Sequence, residues 1–278
     1  MRQFLYDRVR PGILYALVVF FVLWTLAPVL WIATMSVQPE INYVSVPPRL
    51  NVADLNLRWY REMLGQADVA AALGNSVIIA FVTMVFCLVF GALAAYPLSR
   101  LQLPRKNWFL SISIVARMIP SMVLIIPMFL IMRQLRLLDT HLSLVIVYTT
   151  FLLPYVIWML KNFFDQIPYA LEAAARMDGC TRLGALFRVM IPVTAPGVVA
   201  TAVFAFIGAW NEFLFGLILS TRLAVPITVK LSALVSSTFH SDTSLVAATG
   251  MLAILPVITL VIVLNRYIVR GLVEGVKY

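Results

Sequence analysis

The sequence predicts an all-α membrane protein: six transmembrane helices, with a cytoplasmic helix-turn-helix segment between the fourth and the fifth. Three observations predict it. Of the 278 residues, 62 % are hydrophobic and only 12 % charged, where a soluble domain is nearer half apolar and a quarter charged. Six apolar runs reach the roughly 20 residues that a hydrocarbon core demands, at about 12–37, 73–99, 108–132, 140–161, 194–220 and 246–268. One amphipathic stretch, about 165–193, carries too many charges to cross a bilayer although it lies between two of these runs. A bilayer cannot hydrate free backbone N–H and C=O groups, so each run is helical, and the chain reads as one transmembrane domain over 1–278.

The first run follows Arg2, Arg8 and Arg10 and is far longer than the 7–15 apolar residues of a signal peptide, so it reads as a retained helix. The segment of about 38–72 is stopped by Pro47 and Pro48, and Leu57, Trp59, Tyr60 and Leu64 suit a short helix at the interface, the depth that aromatic residues favour. It serves either as an anchor or as a docking surface for an external partner. The second run leads into a short basic turn, Ser99 to Asn107. The third holds Arg117 and four methionines, Met118, Met122, Met128 and Met132, which at helical spacing fill irregular gaps. After the fifth run, about 221–245 reads as a polar loop containing Ser236, Ser237, Thr238 and His240. Cys87 falls in a span and Cys180 in a loop, so no disulfide joins them. His141 and His240 stand far apart, outside any cluster with metal-ligand spacing, and read as polar loop residues.

The net charge of +9 could mark a nucleic-acid partner, but its placement argues otherwise. With the N-terminus inside, the inner segments carry 13 basic residues: Arg2, Arg8, Arg10, Arg100, Arg105, Lys106, Lys161, Arg176, Arg182, Arg188, Arg266, Arg270 and Lys277. The outer segments carry 7, namely Arg49, Arg58, Arg61, Arg133, Arg136, Arg222 and Lys230. That excess fits the positive-inside rule and places both termini in the cytoplasm.

The helix-turn-helix segment is legible residue by residue. Pro168 suits a first helical turn, and Tyr169 to Asp178 are mostly good helix formers. Ala173, Ala174 and Ala175 leave one side nearly bare. Gly179 is placed to end this helix in the left-handed conformation, and Thr181 to cap the next. There Leu183, Leu186, Phe187 and Met190 form an apolar stripe at i, i+3, i+4 and i+7, and Pro192 stops the helix before the fifth run. Each arm has about ten residues and is about 15 Å long. Such a pair is either a hairpin packed under its own bundle or a protrusion that fits a cleft on a soluble partner.

Ionisable residues inside spans are functional candidates because leaving them unpaired in lipid is expensive. Glu212, beside Asn211, should face the bundle interior. These two either hold helices together through hydrogen bonds or meet a hydroxyl-rich solute, with Trp210, Phe213 and Phe215 offering faces for stacking. Arg117 lies at a depth different from Glu212 by roughly 13 Å at 1.5 Å per residue, so the two meet only if spans tilt or break.

Read with its flanks, LEAAARMDGCTRLGALFRVMIPVTAPG resembles the EAA loop of permease subunits of ABC importers. Ala174, Ala175, Asp178, Gly179, Pro192 and Pro196 match its pattern; the usual Glu position holds Ala173, with a carboxylate one residue earlier at Glu172, about 100° away around the helix. AWNEFLFG in the fifth run is similar to the W-N-E/D-F signature of carbohydrate importers, ARMIPSMVLIIP to their third-span pattern, and RGLVEGVKY to their C-terminal ending, one residue short before its Lys. The chain thus resembles the six-span second permease of maltose-type systems. The resemblance implies ATPase coupling through Glu172, Ala173, Ala174, Ala175, Asp178, Gly179, Leu183, Leu186 and Phe187, and a substrate pathway near Asn211, Glu212, Trp210, Phe213 and Arg117. It implies a heterodimer with a second permease, two ATPase subunits, an extracytoplasmic solute-binding protein and a bacterial inner membrane. No G-x-x-x-x-G-K-[ST] phosphate loop occurs, so no cofactor is expected on this chain and ATP and Mg belong to the ATPases. The solute class is a sugar or oligosaccharide, with glycerol phosphate or a polyol as the near alternative. An ion-coupled secondary transporter, for which one intramembrane carboxylate speaks, and an intramembrane enzyme, for which no catalytic motif speaks, are the competing classes.

Overall fold

The computed structural model describes residues 2–49, 51–237 and 243–274. In chain order the helices are α1 (Arg2–Met35), α2 (Glu40–Val44), α3 (Arg58–Gly65), α4 (Ala67–Arg100), α5 (Lys106–Ala116), α6 (Ser121–Gln134) and α7 (His141–Asp165). There follow α8 (Tyr169–Met177), α9 (Arg182–Ala185), a π-helical turn (Leu186–Met190), α10 (Ile191–Val193), α11 (Ala195–Trp210), α12 (Leu214–Leu219), α13 (Ile227–Ser237) and α14 (Thr243–Glu274). No strand occurs among the described residues. Thr238, His240 and the end of the tail motif from Gly275 onward lie outside the described residues.

Among the described residues, four helices are apolar and long enough to cross a membrane unbroken: Gly12–Met35, Ala67–Arg100, His141–Asp165 and Thr243–Arg266. Two further stretches are bent, and counting each as one span gives six. The third run, which reads as one helix in the sequence, breaks into α5 and α6 with a bend of 91°. The cause is local: Pro120 disfavours helical geometry at Ile119 and becomes the N-cap of α6. The fifth run starts at α11, which turns 87° from the preceding helix at Thr194, and it stops at Trp210 before resuming as α12. The stretch read as a polar loop instead contains the helix α13, which follows Pro226.

The chain forms two compact units, Met1–Ala67 with Leu231–Ile254 and Asp68–Lys230 with Leu255–Tyr278. In the first, the most apolar stretch of α1 has no buried residue, as befits a helix solvated by lipid. The short helix expected near Trp59 is present as α3, but its packed face is Trp59 and Met63, one turn apart, while Leu57 and Leu64 are exposed. Tyr60 shares a 2.7 Å hydrogen bond with Ser36, and Thr249 donates to the Met63 sulfur. Ser244 donates to the Gln38 carbonyl at 2.8 Å and pairs with the Tyr43 hydroxyl.

The second unit is built on α4, α7 and α11. Glycines let these helices approach closely: a Cβ at Gly91 of α4 would lie 2.7 Å from Val156 of α7, and one at Gly208 of α11 would lie 2.7 Å from Leu152. Phe151 stacks on Phe215 of α12 with ring centroids 4.7 Å apart. Polar residues fix the connections. Asn75 donates to the carbonyls of Leu223 and Val225 and pairs with His141 at 2.7 Å, so His141 belongs to an interhelical network rather than to a free loop. Asp139, in the α6–α7 turn, accepts from the consecutive N–H groups of Thr221, Arg222, Leu223 and Ala224. Partial burial opposes its charge, but those four amides prevail and hold the carboxyl well below the usual carboxylate range.

Candidate coupling loop and intramembrane cavity

The segment after α7 folds as the sequence predicts, helix, Gly turn, helix. Gly179 has φ of +87°, the left-handed conformation that a side chain disfavours. Around it the last carbonyls of α8 are satisfied: Gly179 N–H donates to Arg176 and Cys180 N–H to Ala175. The Thr181 hydroxyl accepts from Gly184 N–H and starts α9.

The nine residues singled out in this segment divide between two faces. Ala173, Ala174, Asp178, Gly179, Leu183 and Phe187 are exposed. Ala175 and Leu186 are buried, and Leu186 belongs to the core with Met190, Phe164, Ile167 and Tyr96. The apolar stripe is therefore split lengthwise: Leu183 and Phe187 stand out at 57 % and 52 % exposure, while Leu186 and Met190 are sealed at 0 %. On a helical wheel the two pairs occupy opposite flanks of the stripe, and the π turn from Leu186 to Met190 changes the pitch there. Met177, exposed at 87 %, extends the outer face and was missed in the sequence. Its spacing of i+4 from Ala173 is the signal that would have found it.

Glu172 points inward. Its carboxylate accepts from the Tyr96 hydroxyl at 2.5 Å and lies 3.3 Å from the Arg100 guanidinium, whose side chain is 1 % exposed. Arg100 also donates to the carbonyls of Phe164 and Ile167 at 2.9 Å and lies 4.7 Å over the ring of Tyr169. The Tyr169 hydroxyl donates to the Ser99 carbonyl, and Ser99 donates to Asp165 at 2.6 Å. The end of α4 and the loop are thus stitched together by groups from both. None of Tyr96, Ser99, Arg100 and Tyr169 was singled out in the sequence. The signal was there: Tyr96 and Arg100 are one turn apart, on one face, at the end of an otherwise apolar span.

The breaks in the third and fifth runs bring Arg117 and Glu212 to one cavity of about 170 Å³, lined also by Ile119, Ser121, Tyr148, Phe151, Leu152, Gly208 and Phe215. The depth difference expected for straight helices does not hold because both spans are interrupted at these residues. Glu212 caps α12 by accepting from Phe215 N–H at 3.1 Å, and Arg117 lies 5.9 Å over the Tyr155 ring. No ion pair within 4.0 Å joins the two among the described residues. Trp210 is buried and stacked on Phe206 with centroids 5.7 Å apart. Asn211 is exposed, Phe213 half-buried, and neither of them nor Trp210 lines this cavity. No group of three or more His, Cys, Asp or Glu that could hold a metal ion occurs among the described residues.

Residues 87–274 match the family described as binding-protein-dependent transport system inner membrane component. Over 254 residues the chain is 37 % identical to the trehalose transport system permease protein SugB of Mycobacterium tuberculosis, covering 91 % of this chain and 92 % of that one. It is 34 % identical over 253 residues to the sulfoquinovosyl glycerol transport system permease protein SmoH of Agrobacterium fabrum, covering 90 % and 88 %. Its fold is similar to a chain of a bacterial ABC transporter involved in the import of the acidic polysaccharide alginate, with a TM-score of 0.77 at 24 % identity, covering 94 % and 97 %. The chain belongs to the family of inner membrane components of binding-protein-dependent transport systems.

Proposed function

We propose that this chain is one of two unlike permeases that form the translocation path of an ATP-driven sugar or oligosaccharide importer. The observation that carries the reading is the two-faced loop: Ala173, Ala174, Met177, Leu183 and Phe187 present small and apolar surface outward, while Leu186, Met190 and Glu172 seat the loop on the bundle. A protrusion that mixes these small and apolar side chains with the exposed charges of Arg176, Asp178, Arg182 and Arg188, held on a rigid base, suits a groove on a soluble subunit. The sequence holds no phosphate loop, so ATP and Mg are bound by a pair of separate ATPase subunits and this chain carries no cofactor. With both termini cytoplasmic, the loop faces the ATPases, and a solute-binding protein delivers cargo from the other side. The family argues against an ion-coupled carrier, and the relatives named for trehalose and sulfoquinovosyl glycerol argue for carbohydrate over glycerol phosphate or a polyol.

Nucleotide-driven closure of the ATPases biases a two-state switch by pressing on the loop. Because the loop meets α11 at 87°, a push along α10 acts sideways on α11 rather than along it. Glu212 and Arg117 offer an acceptor and a donor to sugar hydroxyls. Their cavity of about 170 Å³ is below the roughly 300–1,000 Å³ of pockets that enclose a small-molecule ligand, so it holds part of a sugar and the partner permease completes the wall.

The test is to purify the tagged chain gently from its native membrane and identify what accompanies it. A second permease and an ATPase are the expected companions. If the chain comes alone and moves trehalose into vesicles without ATP, the reading fails.

A further inference from the structure

We infer that the Tyr96–Arg100–Glu172 cluster makes α4 a second lever of the coupling loop, so that the cytoplasmic ends of α4 and α7 and the helices α8–α10 move as one body. The inference rests on the coupling role proposed above. The loop is covalently joined to α7 and α11 only; α4 lies some seventy positions earlier in the chain, and nothing in its sequence position requires it to follow the loop.

The contacts require it. Arg100 sits at the last turn of α4, fully enclosed, and holds four things at once: the Glu172 carboxylate at 3.3 Å, the end of α7 through Phe164 O at 2.9 Å, the α7–α8 link through Ile167 O at 2.9 Å, and the Tyr169 ring at 4.7 Å. Tyr96, one turn earlier on α4, donates to the other oxygen of Glu172 at 2.5 Å. Both Glu172 oxygens are thereby committed to one helix. Beneath them, Leu186 and Met190 of the loop are buried in a core shared with Leu98 of α4 and Leu160 and Phe164 of α7. A buried charge that loses its partner is expensive, so a displacement of the loop is met by displacement of α4 rather than by opening of the pair. By contrast, α6 shares no residue with this cluster, and it is separated from α5 by a 91° bend.

Tyr96, Arg100 and Glu172 are positioning residues, and the test reads motion. In the purified complex, with Cys180→Ala as background, spin labels are placed at Leu93 of α4 and Leu171 of α8, both exposed. A second pair joins Leu171 to Val123, exposed on α6. Distances are measured without nucleotide and after trapping with ATP and vanadate. The Leu171–Val123 distance should shift on trapping while Leu93–Leu171 stays fixed. In Tyr96→Phe, which removes one hydroxyl and leaves the ion pair, and in Glu172→Gln, trapping should shift or widen the Leu93–Leu171 distribution.

If Leu93–Leu171 changes in the parent as much as Leu171–Val123, the inference is overturned. It is also overturned if both variants keep the parent's fixed distance, or if Tyr96→Phe prevents assembly of the complex, since the cluster would then serve docking alone. Should no ATPase accompany the parent chain, the proposed function falls first and this inference with it. If the ATPase is present and Leu171–Val123 responds to trapping, the function stands and only the α4 result is decisive.

Discussion

At Gly179 the backbone and the side chain make separable predictions. With φ at +87°, any L-residue other than glycine is strained there, by about 1–2 kcal/mol. Space is not the obstacle, because a Cβ built at Gly179 meets nothing within 4 Å. The penalty should therefore follow backbone tolerance rather than volume: Gly179→Asn small, because Asn enters the left-handed region most readily, Gly179→Ala intermediate, and the β-branched Gly179→Val largest. A strain of about 1–2 kcal/mol is a factor of roughly 5–30 in the population of the native turn, and the apparent affinity for an ATPase subunit falls by up to that factor because only the native turn is competent. The assay is titration of the ATPase subunits onto permease dimers in nanodiscs, with ATP hydrolysis as a second readout and membrane insertion as the control. Insertion should be unchanged in all three variants. An Asn variant as damaging as Val would refute the reasoning, because the partner groove and not the turn would then set the penalty. A Val variant equal to the parent would refute it as well.

Three further outcomes follow from the second unit. Gly197→Ala places a Cβ 2.3 Å from Cγ of Phe163, close to the ring's attachment, so α7 and α11 must separate; a loss of about 1–3 kcal/mol is expected, typical of overpacking, read as a lowered melting temperature in detergent. Asp139 has a depressed folded pKa, so its contribution is present above the ordinary carboxylate value of about 4 and is lost as pH falls through the lower folded value; melting of the parent should be flat between neutral and mildly acidic pH and decline only below about pH 4, and Asp139→Asn should be less stable at neutral pH and lose that acid decline. Arg117→Met and Glu212→Gln should lower uptake of the accompanying binding protein's sugar while leaving ATPase association intact; reduced association would place these residues in the fold rather than the pathway.

Much of this was legible in the sequence because lipid imposes few choices. Six apolar runs, the Gly179 turn and the Thr181 cap all follow from backbone hydrogen bonding, which acts locally. What was not legible depends on long-range packing. Whether Leu186 or Leu183 faces the core is decided by a π turn and by where Phe164 and Ile167 lie, and both leucines sit on one stripe in the sequence. The 91° bend at Pro120 is foreshadowed by the proline, yet Pro97, Pro127, Pro154 and Pro256 remain inside helices, so proline alone does not tell a break from a tolerated kink. The four amides that Asp139 gathers lie 82 to 85 positions away, beyond any periodicity.

The two interrupted spans explain why an arginine and a glutamate share a cavity without forming a pair. In straight helices Arg117 and Glu212 would lie at different depths, each unpaired and costly. The breaks at Arg117–Pro120 and Asn211–Phe213 bring both to one wall, and each break also frees backbone groups that must be satisfied inside the membrane. Glu212 meets part of that need by accepting from Phe215 N–H at 3.1 Å through one carboxylate oxygen. Arg117 rests near the Tyr155 ring at 5.9 Å, a contact worth about 0.5–1 kcal/mol at an exposed site and so easily exchanged. A closed ion pair would have to be opened before a neutral sugar could enter. Held apart by the two breaks, the same charges would, on the function proposed above, trade weak contacts for sugar hydroxyls and let the solute leave as readily as it arrived. Closing the gap artificially tests this: in a double variant, Arg117→Cys with Glu212→Cys, cross-linking should abolish uptake and reduction should restore it only in part, since the native donor and acceptor are gone. Undiminished uptake in the cross-linked state would remove this cavity from the path.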